Sequence, residues 1–139
     1  MKYYAGIGNR DISTSVQESL VSCANYLSEN GYIVRSGGAQ GADYAFEIGS
    51  KESVILKPKD ATSEAIELAS RYHPAWDKCN EYVRKLHGRN AMIILGKHLD
   101  SPVDFVLCFA KNECTGGTAL GIRIARDYKI PVINLYSVL

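Results

Sequence analysis

The sequence predicts an α/β fold: a Rossmann-like three-layer sandwich around a mostly parallel sheet of about five strands. Three observations carry this expectation. Short apolar runs alternate with segments of helical period along the whole chain. Several of the runs, such as Phe105 to Ala110, are apolar at nearly every position, as expected where helices cover both faces of a parallel sheet. Glycine-bearing turns recur where a strand passes into a helix. The 139 residues suit one domain spanning 1–139, with no repeat, low-complexity stretch or linker.

The first strand is expected over Tyr3 to Gly8, followed by a polar loop from Asn9 to Ser13. Ser15 and Glu18 have capping-box spacing, and Val16, Leu20, Cys23, Ala24 and Leu27 recur at helical period. Asn30-Gly31 stops that helix. Tyr32 to Arg35 reads as the second strand, and a short helix should follow with Ala42, Ala45, Phe46 and Gly49 on one side. Ser53 to Leu56 is the third strand, closed by Lys57-Pro58-Lys59. Thr62 to Arg71 is helical, with Ala65, Ile66 and Ala69 inward, and His73-Pro74 breaks it. A longer helix is expected from about Pro74, carrying Trp76, Cys79, Val83 and Leu86 inward and continuing through Arg89 and Asn90 to Leu95. The run Met92 to Leu95 fits either a buried helix end or a strand. Phe105 to Ala110 is a buried strand, Thr115 to Thr118 a turn, Ala119 to Tyr128 a helix and Pro131 to Leu135 the last strand.

Composition narrows the function. Apolar residues are 46% and charged residues 22%, the balance of a globular chain. Sixteen Lys plus Arg against 15 Asp plus Glu leave a formal net charge of +1, so whole-chain charge lends no support to nucleic-acid coating, although a local basic groove stays open. No apolar run approaches the roughly 18 residues of a membrane span, and the N-terminus enters a strand pattern directly. Cys23, Cys79, Cys108 and Cys114 have no C-x-x-C spacing and no nearby histidine couple. They read as scattered thiols of a cytoplasmic protein, with no metal and no cofactor expected.

In an open parallel sheet, ligands bind at the carboxyl ends of the strands. Three glycine turns are placed there: Gly6 to Arg10, Ser36 to Asp43, and Thr115 to Thr118. Glycine lets a ligand approach the backbone, and a helix N-terminus behind a turn offers unpaired N–H groups. Turns of this kind that converge make an anion site, most naturally for phosphate. Neither the Walker loop nor the dinucleotide G-x-G-x-x-G spacing occurs. The candidate ligand-binding residues are therefore Gly8, Asn9, Arg10, Ser36, Gly37, Gly38, Ala39, Gly41, Asp43, Arg89, Asn90, Thr115, Gly116, Gly117 and Thr118. Arg10 can fork onto a phosphate or stay a solvated loop residue; Asp43 can accept a ribose hydroxyl or cap a helix. Residues 71–97 hold six Lys or Arg against two acids, either a solvated face or an electropositive rim. Trp76 fits the core better than a stacking platform, and Tyr44 and Tyr72 can stack on a base.

Taken together, Tyr4 to Arg10, Arg35 to Asp43, Arg89-Asn90, Gly116 to Thr118 and Ile130 to Leu135 resemble the SLOG superfamily. That group joins the Rossmann domain of Smf/DNA-processing protein A with the LOG, or lysine decarboxylase-like, nucleotide hydrolases. The compact form resembles stand-alone versions from bacteria and their phages. The resemblance implies a nucleotide site at the strand ends and a homo-oligomer, with the 74–95 helix as candidate interface. The primary expectation is a binder that senses or sequesters a phosphorylated nucleotide or nucleotide-derived signal. An alternative is a nucleoside monophosphate phosphoribohydrolase, with Arg89 in the place of the LOG arginine and Glu113 or Glu47 supplying a carboxylate. The LOG motif P-G-G-x-G-T-x-x-E is incomplete here, because Gly116-Gly117-Thr118 lacks the preceding proline, one glycine and the following glutamate. A further alternative is single-stranded DNA binding of the kind found in DNA-processing protein A.

Overall fold

Apolar alternation along the first strand decides the layering. In the computed structural model, which describes residues Met1–Leu139, β1 (Lys2–Gly8) turns Tyr4 toward one side of the sheet and Ala5 and Ile7 toward the other. Strand β4 (Val106–Phe109) alternates likewise: Val106 and Cys108 share the face of Ala5, while Leu107 and Phe109 share that of Tyr4. Both faces are apolar, so both must be covered.

Helices α1 (Thr14–Glu29) and α2 (Ala42–Ile48) cover the Tyr4 face through Leu20, Ala24, Ala45 and Phe46. Helices α3 (Ser63–Ser70), α4 (Glu81–Leu95) and α5 (Gly116–Asp127) cover the larger face through Ala65, Met92 to Leu95, Leu120, Ile122 and Ile124. With β2 (Tyr32–Ser36), β3 (Ser53–Ile55) and β5 (Val132–Asn134), the five strands lie in the order β3-β2-β1-β4-β5, all parallel. The expected three-layer Rossmann-like architecture is present. No helix is long and apolar enough to cross a membrane.

The order of strands locates a crevice. From β1 the chain steps outward through β2 to β3, then returns through α3 and α4 to place β4 on the other side of β1. The connections leave β1 and β4 in opposite directions, and a crevice opens beyond their carboxyl ends.

Three local readings are corrected and one left open is resolved. Helix α1 is capped by Ser13, whose Oγ accepts from Val16 N at 3.2 Å, rather than by Ser15. The long helix begins at Glu81, not near Pro74: Asn80 caps it by accepting from Val83 N at 2.9 Å, and only a single tight turn, Trp76–Lys78, precedes it. Met92 to Leu95 completes α4 as a buried helix end. Thr115 to Thr118 is not a free turn: Thr115 is the N-cap and Gly116 to Thr118 form the first turn of α5. Because α4 lies between α3 and α5 with its apolar side in the domain's own core, that side is not free as an oligomer interface.

Candidate functional site

A cavity of about 280 Å³ occupies the crevice beyond β1 and β4. Gly8, Asn9 and Arg10 enter it from the end of β1, and Ala39 and Asp43 from the β2–α2 connection. Leu86, Arg89, Asn90, Ile93 and Ile94 line it from α4, and Thr115 to Thr118 with Gly121 from the start of α5. Eleven of the 15 residues expected to contact a ligand are brought together in this lining: Gly8, Asn9, Arg10, Ala39, Asp43, Arg89, Asn90, Thr115, Gly116, Gly117 and Thr118.

The other four shape the loop beneath it. Ser36 is buried and donates through Oγ to the Gly6 carbonyl at 2.6 Å. Gly37 is wedged between two charged groups: a Cβ there would meet Arg89 Nη1 at 2.7 Å and Asp43 Oδ2 at 2.9 Å. Gly38 and Gly41 carry the positive φ values, 68° and 85°, with which the connection doubles back under Asn9 and Arg10.

Arg89 organises the floor. It is buried on α4, donating through Nη1 to the carbonyls of Gly37 at 3.1 Å and Leu56 at 2.8 Å, and through Nε to Asn90 Oδ1 at 2.9 Å. Asn90 Nδ2 in turn donates to the Gly117 carbonyl at 3.4 Å. One arginine–asparagine pair therefore ties the β2 end, the β3 end and the start of α5 to one helix. Nη2 of Arg89 has no hydrogen-bond partner in the protein.

The electrostatics follow from what stands at each helix start. Helix α1 is capped by Ser13, and Asp43 sits in the first turn of α2. Helix α5 has neither a side-chain cap nor an acidic residue in its first turn. Its first N–H groups therefore remain without a protein acceptor, at the positive end of a three-turn helix. The start of α2 also lacks a side-chain cap but carries a carboxylate, so the three anion turns expected from the sequence leave α5 as the uncapped helix start without one, with Arg10, Arg89 and Lys111 around it.

Asp43 is the one carboxylate in the lining. Burial pushes it from its ordinary 3.8 up to about 6; the Arg89 guanidinium and the backbone N–H groups of Ala39, Gly37 and Gly8 pull the other way and lose. Glu113, the carboxylate offered for catalysis, is not in the lining. It accepts from Asn134 Nδ2 and from Arg126 Nη2, each at 2.7 Å, and these partners hold its carboxyl below the usual range. Glu47 also lies outside the lining.

Sequence reasoning missed Lys111 and Asn112, which line the cavity immediately after β4. Their position just past a central parallel strand was the signal available. The basic 71–97 segment is largely spoken for. Arg71 pairs with Glu67, Lys85 with Glu81, Arg84 lies over the Trp76 ring, and Arg89 is in the floor. Trp76 packs against the core, not into the cavity.

No family model and no curated protein matches the chain. Among solved structures it is similar to DNA processing protein A from Helicobacter pylori, a structure described for its single-stranded DNA binding mode. The TM-score is 0.65, at 21% identity over 94% of this chain. The chain shares that protein's fold. It spans 63% of that protein's chain.

Proposed function

We propose that the chain binds a phosphorylated nucleotide, or a signal derived from one, in the cavity beyond β1 and β4. The observation that carries the reading is the uncapped start of α5 facing a half-open cavity with three cations and one buried carboxylate. The phosphate sits on the N–H groups of Gly116 to Thr118, with Arg10, Lys111 and Arg89 Nη2 as counter-charges. Asp43 accepts a ribose hydroxyl. Ile7, Leu86, Ile93 and Ile94 offer an apolar wall for a base. A volume of about 280 Å³ falls just below the range of roughly 300–1,000 Å³ for small-ligand sites, so one nucleotide fits better than a dinucleotide.

The test is to incubate the chain with a pooled nucleotide panel, filter it, denature it, and analyse both fractions by mass spectrometry. A nucleotide recovered intact from the protein fraction is the expected result. Free base with ribose phosphate would instead mark an N-glycoside hydrolase, with Asp43 as its acid or base. A panel that passes through unretained would remove the reading.

Single-stranded DNA is the second reading, favoured by the shared fold with a protein described for that binding. It predicts an affinity that falls steeply with salt, since each neutralised phosphate of a single strand contributes a slope of about −0.7.

A further inference from the structure

His73, Cys79 and His87 come from three different local settings. His73 follows α3, Cys79 ends the tight turn Trp76–Lys78, and His87 lies in the second turn of α4. Their ligand atoms nevertheless all lie within 4.8 Å of one another. Cys79 Sγ is 3.7 Å from His73 Nε2, and the two imidazole centroids are 4.7 Å apart. A tetrahedral ion with bonds of about 2.3 Å to sulfur and about 2.0 Å to nitrogen sets those two atoms about 3.5 Å apart.

The second observation is His87 itself. It is 5% exposed, and its Nδ1 is buried with no hydrogen-bond partner. A buried polar atom without a partner is costly unless something fills the role. Trp76 closes the other side, its ring 6.0 Å and 6.2 Å from the two imidazoles, which keeps the cluster partly dry.

We propose that His73, Cys79 and His87 form a binding site for a borderline-soft transition-metal ion, zinc(II) in the first instance. One thiolate and two imidazoles suit such an ion and not the oxygen-seeking magnesium or calcium. Three ligands leave a fourth position for water. The thiolate supplies the negative charge needed beside Arg123 and Arg89, the cations that act on His87. Loading expels the Cys79 thiol proton. It also moves the His73 ring proton to Nδ1, which now accepts from Ala75 N at 3.0 Å, so that contact breaks. The ion would staple the irregular segment between α3 and α4 onto α4. Cysteine spacing hid the site, because no two ligands form a short motif.

Cobalt(II) is the probe. The reduced, chelator-treated full chain is titrated with it and followed by absorbance. One equivalent should bring up a thiolate-to-cobalt charge-transfer band with strong tetrahedral d–d bands, and zinc should abolish both. Cys79→Ser should lose the charge-transfer band, His87→Asn should weaken binding at least tenfold, and Cys114→Ser, at an exposed cysteine, should change nothing. A second measurement needs no variant: zinc should protect Cys79, but not Cys114, from alkylation mapped by mass spectrometry. The proposal is overturned by a folded wild-type chain that gives no thiolate–cobalt band, by a band that survives Cys79→Ser, or by equal alkylation with and without zinc.

Discussion

Replacing Asp43 with asparagine should stabilise the protein, and only above about pH 5. The carboxyl is buried and pushed from 3.8 up to about 6. A carboxyl raised in the folded state binds more protons there than in the unfolded chain. Its stabilising contribution is therefore complete below 3.8 and is lost as pH rises through about 6. At about 1.4 kcal/mol per pH unit, the ionised form costs about 3 kcal/mol by pH 8. Asparagine keeps the shape and removes the charge. Its NH₂ faces backbone N–H groups, which takes back about 1–2 kcal/mol. The net gain at pH 8 is about 1–2 kcal/mol, or about 3–7 °C in Tm for a domain of this size. At pH 4 the advantage should vanish or reverse. Urea unfolding of both proteins at pH 4, 6 and 8 reads this directly. A variant less stable than wild type at pH 8, or a difference independent of pH, would show that Arg89 and the loop amides outweigh burial. On the proposed reading, in which Asp43 accepts a ribose hydroxyl, the gain should come with lost nucleotide affinity.

Three further predictions concern the same site. Thr115→Asp should cap α5, raise stability by about 0.5–1 kcal/mol and weaken nucleotide binding at least tenfold by filling the anion position; calorimetry on binding and unfolding checks both. Arg89→Met should cost about 2–4 kcal/mol, since it leaves the Leu56 carbonyl without its donor and the Gly37 carbonyl with only the long contact from Lys57 Nζ at 3.4 Å; denaturant melts should show it, and a loss below 1 kcal/mol would refute the bracing role. Glu113→Gln should lower stability by at most about 1 kcal/mol and leave ligand binding and any base release unchanged; a lost turnover would return Glu113 to catalysis.

The fold was legible because its signals are local. Apolar runs gave β1 and β4, and Asn30-Gly31 and Thr62 marked helix ends that the structure retains. The start of α4 was not legible: Trp76 and Cys79 have helical spacing, yet the chain makes only one tight turn there before Asn80 caps the helix. In the site, sequence placed the three turns at the strand ends. It did not reveal that Asp43 is buried against the backbone of Gly8, Gly37 and Ala39 while the start of α5 has no carboxylate, because those contacts are decided by the folded loop. Nor did it separate Arg89, which braces the floor, from the surface cations of the same segment. The partners of Arg89, Gly37 and Leu56, lie 52 and 33 residues away.

On the proposed reading, the open start of α5 holds a phosphate. The most direct measurement is a calorimetric titration of the chain with a retained nucleotide and with its dephosphorylated nucleoside, at low and high salt. The account predicts saturation at one nucleotide per chain, at least tenfold weaker binding of the nucleoside, and a modest salt effect. Equal affinity for nucleoside and nucleotide would contradict it. So would binding only to single-stranded oligonucleotides with a steep salt slope.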